Sequence, residues 1–339
     1  MNTHMLDEAR EAPAAVARQL AADGDAYAAF GALLRAQAPS GVLTIARGSS
    51  DHAASFMAYL TMARLGRLVT SLPMSVVTLY QSQLQAHGLL SVAFSQSGQS
   101  PDLITPTRYL QGAGATTAAF VNAPDSPLAE AAQWVFPLRA GPELSVAATK
   151  SFIAQLVAGA RLVSAWEGGA LDEHLAALPA VLQRAALSDW SAGVEALLRA
   201  DRLFVIGRGT GLAIANEAAL KFKETCGIQA EAYSGAEVKH GPMALIEEGY
   251  PLLVFAPRGP AQASLLALAE EMRGRGAKVL LAAPAGTPGA ELLTVETTMS
   301  DLDPIAAVQS FYPMVEALAR ARGLDPDRPR HLAKVTRTR

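Results

Sequence analysis

The sequence holds a single cysteine, Cys226, among 339 residues. An intrachain disulfide is therefore impossible, and a reducing compartment is the expected setting. Charged residues make up only 17% and half of the chain is apolar, which excludes disorder driven by charge. The formal net charge is −3, and no basic block is present apart from a short arginine-bearing C-terminus. The electrostatic footprint of a nucleic-acid binder is thus missing. Also missing is the run of about 18 to 20 uncharged apolar residues that a membrane helix needs. The first fifteen residues are broken by Asp7, Glu8, Arg10 and Glu11, a pattern unlike a secretory leader. The expectation is a soluble, cytoplasmic chain with neither nucleic acid nor membrane as partner, long enough for two domains with separate cores.

What is present is an alternation of short β-branched runs with longer alanine-rich segments. Val42 to Ala46 reads as a buried strand broken by Arg47-Gly48-Ser49-Ser50, with a helix following to about Arg64. Leu90 to Phe94 reads as a second strand ending in Ser95-Gln96-Ser97-Gly98; a helix then starts near Ser100-Pro101-Asp102, and a strand covers Thr117 to Val121. The second half repeats the plan: Leu203 to Ile206, then Gly207-Arg208-Gly209-Thr210, a helix from about Leu212 to Cys226, and a strand Leu252 to Phe255. Strand-end loops recur at one spacing, with Gly48 to Ser95 and Gly209 to Ala256 both 47 positions. Such order predicts parallel βαβ units and an internal duplication. The segment Ala170 to Leu198 reads as a helical bridge. The expected division is an N-terminal helical segment 1–30, a first domain 31–189, a second domain 190–325 and a tail 326–339.

Three places carry chemistry. The loop Ser95 to Asp102 follows a strand, where open α/β sheets place ligands. Ser100 suits an N-cap and Pro101 the first helical position, so free N–H groups and hydroxyls could cradle a phosphate, with Ser49 and Ser50 closing the other side. The same residues would also serve an ordinary capped turn. Glu217, Lys221 and Glu224 share one helical face. That pattern is usually a solvated face, but Ala, Leu and Phe neighbours argue for burial, and a buried carboxylate beside a lysine suits general-base work. His240, before Gly241-Pro242, sits on a loop that cannot continue as helix; by itself it is as well explained by simple exposure. No His/Cys/carboxylate cluster has metal spacing, and the glycines do not complete a dinucleotide fingerprint. No cofactor is expected.

Taken together, these motifs are similar to a known family. Ser95 to Ser100 resembles the Ser-Gln-Ser-Gly-x-Thr/Ser phosphate loop of sugar isomerase (SIS) domains. Gly207-Arg208-Gly209, Glu217 to Glu224, Ala230 to Tyr233 and Glu237 to Pro242 resemble the isomerase half of glucosamine-6-phosphate synthase, as do Met5 to Pro13 and Pro329 to Lys334 at the two ends. The resemblance implies two tandem SIS domains, each an α/β/α sandwich around a mainly parallel sheet. It implies a sugar-phosphate cradle from Gly48, Ser49, Ser50, Ser95, Gln96, Ser97 and Ser100, with Val146, Ala148 and Ala333 also at the substrate. Glu224 corresponds to the base moving a proton between C1 and C2, and Lys221 with Glu217 to its assistants. His240 corresponds to the ring-opening histidine supplied by the other subunit of a homodimer, and Lys334 to a tail lysine able to form an imine. Gly141 to Lys150 matches a Gly-Thr-Glu-x-x-Val-Ala-Ser-Thr-Lys loop with two departures, Pro142 for Thr and Ala148 for a sugar-binding serine.

The synthase begins with a glutaminase domain whose first residue is a nucleophilic cysteine, and nothing in this sequence resembles it. The expected activity is therefore that of the stand-alone SIS-type deaminases, converting glucosamine 6-phosphate to fructose 6-phosphate and ammonia. Alternatives are another phosphorylated amino sugar such as galactosamine 6-phosphate, an Amadori product, synthesis with free ammonia or with a separate glutaminase, and a non-catalytic sugar-phosphate sensor.

Overall fold

The computed structural model describes residues 3–334. Among these, ten strands form two five-stranded sheets in which every pairing is parallel. The first sheet contains β1 (Gly41–Ile45), β2 (Val69–Ser71), β3 (Leu89–Ser95), β4 (Thr116–Val121) and β5 (Trp134–Pro137), in the order β2-β1-β3-β4-β5. The second contains β6 (Arg202–Gly207), β7 (Gln229–Ser234), β8 (Pro251–Phe255), β9 (Lys278–Pro284) and β10 (Leu292–Thr294), ordered β10-β9-β8-β6-β7. Read from its other edge, the second order repeats the first. The tandem α/β architecture expected from the sequence is thus present, together with its duplication.

The chain divides into two compact units. One comprises residues 14–143, 150–176 and 333–334 and holds the first sheet; the other comprises 3–13, 144–149 and 177–332 and holds the second. The helix α1 (His4–Leu20) passes from the second unit into the first.

In the first unit the pleat sorts β4 into two buried faces, as a sheet covered on both sides requires. Ala119 and Val121 join Leu103 and Leu110 of α4 (Pro101–Gly112) in one cluster. Phe120 points the other way, toward Phe94 at 4.9 Å and Phe136 at 5.5 Å between ring centroids. Tyr27 and Phe30 of α2 (Gly24–Gln37) complete that aromatic layer. In the second unit Ile206, Val254 and Leu281 pack with Leu265 and Leu268 of α7 (Gln262–Gly274). Phe255 turns toward Phe311 of α8 (Asp303–Ala321), which also meets Phe222.

The duplication extends to the helix caps. Helix α3 (Ser49–Leu65) and helix α6 (Thr210–Cys226) each have 17 residues. Each starts after a glycine of positive φ, Gly48 at 53° and Gly209 at 62°, and each ends on a left-handed glycine, Gly66 and Gly227, both at 63°. Both pairs lie 161 positions apart (48 to 209, 66 to 227). The segment from Ala170 to Leu198 is not one helix. It breaks into Asp172–Ala176, Leu178–Ala185 and Ser191–Leu197, with Pro179 opening the second piece and the Asp189 carboxylate accepting from Ser191 N at 2.9 Å before the third. Proline and an Asx turn favour these interruptions over continuous helix.

Candidate active site

In the first unit, the strand-order reversal lies between β1 and β3, and the loops after their carboxyl ends are those carrying Gly48 to Ser50 and Ser95 to Ser100. That is the position where doubly wound sheets open a ligand crevice. Ser95 closes β3, and its Oγ accepts from Gly98 N at 3.0 Å. Ser97 Oγ accepts from Gln99 N at 3.3 Å. Gly98 has φ 65°, and a Cβ there would stand 2.0 Å from Ser126 Oγ, so only glycine lets the chain turn back against that serine. Ser100 occupies the N-cap and Pro101 the first helical position, as expected. The Ser100 hydroxyl makes no capping bond; its carbonyl instead receives Leu103 N and Ile104 N at 3.0 and 3.2 Å.

In the structure Arg47, just after β1, pairs through Nε with the buried Asp102 at 3.1 Å, so a guanidinium stands at the loop with its charge balanced by the first turn of α4. Ser49 and Ser50 lie in the first turn of α3. Gln155, on α5 (Lys150–Glu167), donates from Nε2 to Ser50 Oγ at 2.9 Å.

Also in the first unit, Lys334 Nζ donates to Glu143 Oε2 at 2.9 Å. Glu143 is buried and further accepts from Ser151 N at 3.1 Å and Ser151 Oγ at 2.7 Å. Ala333 is exposed beside Lys334. Glu143 stood within the loop quoted from the sequence without a role; its donors could not be read from spacing, since Lys334 is 191 positions away.

In the second unit, α6 carries Glu217, Lys221 and Glu224 on one face, and that face is interior. The Lys221 side chain is 1% exposed, Glu217 0% and Glu224 19%. Lys221 Nζ lies 3.4 Å from Glu217 Oε1 and hydrogen-bonds to Glu224 Oε2. Burial by itself would lower the pKa of Lys221, but the charges of Glu217 and Glu224 and their hydrogen bonds outweigh it and hold the ammonium above the usual lysine range. Tyr312 of α8 adds a hydroxyl donor to Glu217 Oε1 at 3.3 Å. Only Glu224 of the three lines a cavity, one of about 1150 Å³ bordered also by Leu220, Lys223, Arg322, Arg328 and Arg330. The solvated-face explanation of this triad is therefore excluded by burial.

His240 ends the short 3-10 turn Glu237–His240, just before Gly241 at φ 142°. The side chain of Val238 is buried and pins the turn, while His240 is exposed. Neither Glu224 nor Lys221 is bonded to it. The loop 144–149, with Val146 and Ala148, belongs to this same unit; Glu8 accepts from Leu144 N and Ser145 N, and Val146 N donates to Asp327 O at 3.3 Å. Cys226 is buried, with its thiol donating to Val315 O at 3.4 Å and burial pushing its pKa up to about 11. Among the described residues no group of three or more His, Cys, Asp or Glu could hold a metal ion, and no helix is long and apolar enough to cross a membrane.

The structure thus gathers Glu217, Lys221 and Glu224 in one unit and the serine loops in the other. Gln155, Glu143 and Tyr312 are the partners that sequence reasoning missed. Gln155 and Tyr312 are polar residues inside largely apolar helices, which is the signal that could have found them, whereas Glu143 lies in a Gly-Pro turn that carries no such signal.

Comparison with known proteins agrees with this geometry. A crystal structure of a protein provisionally described as a phosphosugar isomerase, from Silicibacter pomeroyi DSS-3, superposes with a TM-score of 0.91 at 43% identity, covering 96% of this chain and 100% of that one. The C-terminal domain of glucosamine-fructose-6-phosphate aminotransferase from Francisella tularensis superposes with a TM-score of 0.87 at 25% identity, covering 97% and 99%. The isomerizing glutamine–fructose-6-phosphate aminotransferase of Aeropyrum pernix is 37% identical, over 98% of this chain and 56% of its own length. The chain spans about half the length of such curated relatives. The profile of the SIS domain matches at residues 37–165, which hold the whole first sheet, and again at 196–287, which hold β6 to β9 of the second, and the chain belongs to the SIS domain family.

Proposed function

We propose that the protein is a phosphosugar isomerase that deaminates glucosamine 6-phosphate, yielding fructose 6-phosphate and ammonia. The observation that carries this is the buried Glu217–Lys221–Glu224 row, in which one carboxylate alone reaches a cavity. Lys221 holds Glu224 in place by a hydrogen bond, and a carboxylate so fixed at a cavity wall is positioned for general-base work on a carbon acid. Similarity to a phosphosugar isomerase and to an aminotransferase domain supports the substrate class.

The steps balance without an added reagent. The phosphate is held by Ser50, Ser95, Gln96, Ser97 and Ser100. His240, supplied by the partner in a homodimer, protonates the ring oxygen as the C1 hydroxyl loses its proton, opening the sugar to an aldehyde. Glu224 removes the C2 proton as the electron pair forms a C1=C2 bond and the C1 oxygen takes up a proton, giving an enolamine; Glu224 then returns its proton to C1 while the C2 amine loses one proton and becomes an imine. Water adds at C2 and ammonia leaves. Exchange of the imine onto Lys334, whose proton Glu143 can accept across 2.9 Å, offers the same hydrolysis a covalent path. Release is favoured over uptake because water is in vast excess over free ammonia. The one thiol in the sequence, buried and raised to about 11, is not poised to free ammonia from an amide.

The test is incubation of the protein with glucosamine 6-phosphate while ammonia and fructose 6-phosphate are followed together. Equal formation of both is expected, with Glu224→Gln reducing the rate by about 10²–10⁴, the usual weight of a general base. Folded protein that forms neither product refutes the assignment, and galactosamine 6-phosphate becomes the next substrate to try.

A further inference from the structure

We propose that Gln155 is a positioning residue that commits the Ser50 hydroxyl to donate its proton to the substrate's phosphate. This rests on the phosphate role given above to the serine loops. A serine hydroxyl has one donor and two acceptor sites, whereas a phosphate oxygen, once ionised, only accepts. Gln155 Nε2 donates to Ser50 Oγ at 2.9 Å. With an acceptor site of Ser50 so filled, the hydroxyl keeps its proton for an incoming anion, and the amide's donation polarises it in that direction.

Two further serines of the cradle are treated alike. Ser95 Oγ accepts from Gly98 N at 3.0 Å and Ser97 Oγ from Gln99 N at 3.3 Å. Three hydroxyls therefore each have an N–H on their acceptor side and an O–H left to offer. For Ser95 and Ser97 the loop's own backbone does this; for Ser50, in the first turn of a helix, a side chain from another element is needed.

The fold holds that side chain in place. Gln155 is 1% exposed and lies one turn before Gly159 on the same face of α5. A Cβ at Gly159 would stand 2.9 Å from Met57 Cβ, so α3 and α5 meet there at a separation only glycine allows. Met57 lies two turns beyond Ser50 on α3. The close approach at Gly159 thus sets the register that brings Gln155 against Ser50.

The experiment is calorimetric titration with inorganic phosphate of wild type, Q155M, S50A and the double variant S50A/Q155M, alongside KM and kcat for glucosamine 6-phosphate. A hydrogen bond to a charged group is worth about 1.5–3 kcal/mol, so Q155M and S50A should each weaken phosphate binding roughly tenfold or more. The double variant should be no weaker than the stronger single one, and KM should rise while kcat stays within a few-fold. Wild-type affinity in Q155M, or a double variant whose loss is the product of the single losses, overturns the inference. Should Q155M not fold, Q155E retains the shape but accepts from Ser50 and repels the anion; it should bind phosphate more weakly still, and wild-type affinity in it overturns the inference equally. A wild-type chain that binds no phosphate overturns this role and the phosphate assignment together. The expected coupling without any ammonia release would overturn the reaction and leave the role of Gln155 standing.

Discussion

Replacing Lys221 by Met tests the electrostatics of the buried row directly. Methionine keeps the unbranched stem and removes the charge. Glu217, 0% exposed, then loses the ammonium that stood 3.4 Å from its Oε1, while the Tyr312 hydroxyl still donates to it. Removing one member of a buried ion pair costs about 3–5 kcal/mol, a large part of the roughly 5–15 kcal/mol that a domain has in total. The partner variant is E217Q/K221M, which deletes both buried charges and should recover most of that loss, though no activity. The pH dependence has a definite sign. In wild type the raised pKa of Lys221 means that its stabilisation is complete below the ordinary lysine range and is lost as pH rises through the folded value. Urea unfolding followed by intrinsic fluorescence is suitable, since Trp190 is buried in the same unit. A K221M chain within about 1 kcal/mol of wild type at pH 8 would refute the reasoning, given the 3–5 kcal/mol expected. So would a double variant whose loss equals the sum of the two single ones.

Three other outcomes follow from the same structure. Cys226 should resist thiol reagents in the native chain at pH 8, where a pKa of about 11 leaves on the order of one thiolate in a thousand, and should react fully in denaturant; rapid native labelling would show that the thiol is not buried as described. Gly98→Ala places a Cβ 2.0 Å from Ser126 Oγ at a backbone of φ 65°, which should distort the serine loop and raise KM for the sugar phosphate about tenfold or more, by loss of a charge-assisted bond; an unchanged KM would remove the loop from substrate binding. An inactive His240→Ala chain mixed with an inactive Glu224→Gln chain should recover part of the activity on subunit exchange. No recovery after exchange has been demonstrated would argue against a histidine supplied by the partner.

The parts of the fold legible in the sequence were those where hydrophobic periodicity and turn chemistry coincide. β1, β3, β6 and β8 are short apolar runs ending in turns that carry Gly or Ser, β4 runs into Asn122-Ala123-Pro124-Asp125, and all five are visible as strands. β7, Gln229–Ser234, contains Gln, Glu and Ser and lies at a sheet edge, so its residues alternate with solvent and no apolar run marks it. β2 and β10 have three residues each, too few for a period to register. The triad on α6 was legible because helical spacing fixes which residues share a face. Its burial was only inferable from the Ala and Phe around it, since that depends on α8, some ninety residues onward. Long-range polar pairs were hidden altogether. Nothing local joins Gln155 to Ser50, 105 positions apart, or Glu143 to Lys334.

The duplication explains why the two halves differ in chemistry. With the offset of 161 set by the matching glycine caps, Glu217, Lys221 and Glu224 of α6 fall on Phe56, Leu60 and Ala63 of α3. Phe56 and Leu60 are buried at 0% and 1%, as Glu217 and Lys221 are. The same interior face is thus apolar in one copy and an ion row in the other. Conversely, Ser50 falls on Gly211, which has no hydroxyl to offer, and Ser95 on Ala256. A buried ion row gives little net stability compared with well-packed apolar residues, so its presence in one copy alone needs a chemical reason, and a base at a cavity wall is such a reason. If that is correct, transplanting the apolar face onto α6 by E217F/K221L/E224A should give a chain at least as stable as K221M and without activity, while its phosphate affinity, set in the other copy, remains that of wild type. Loss of phosphate binding in that folded variant would show that the two copies do not divide the work in this way.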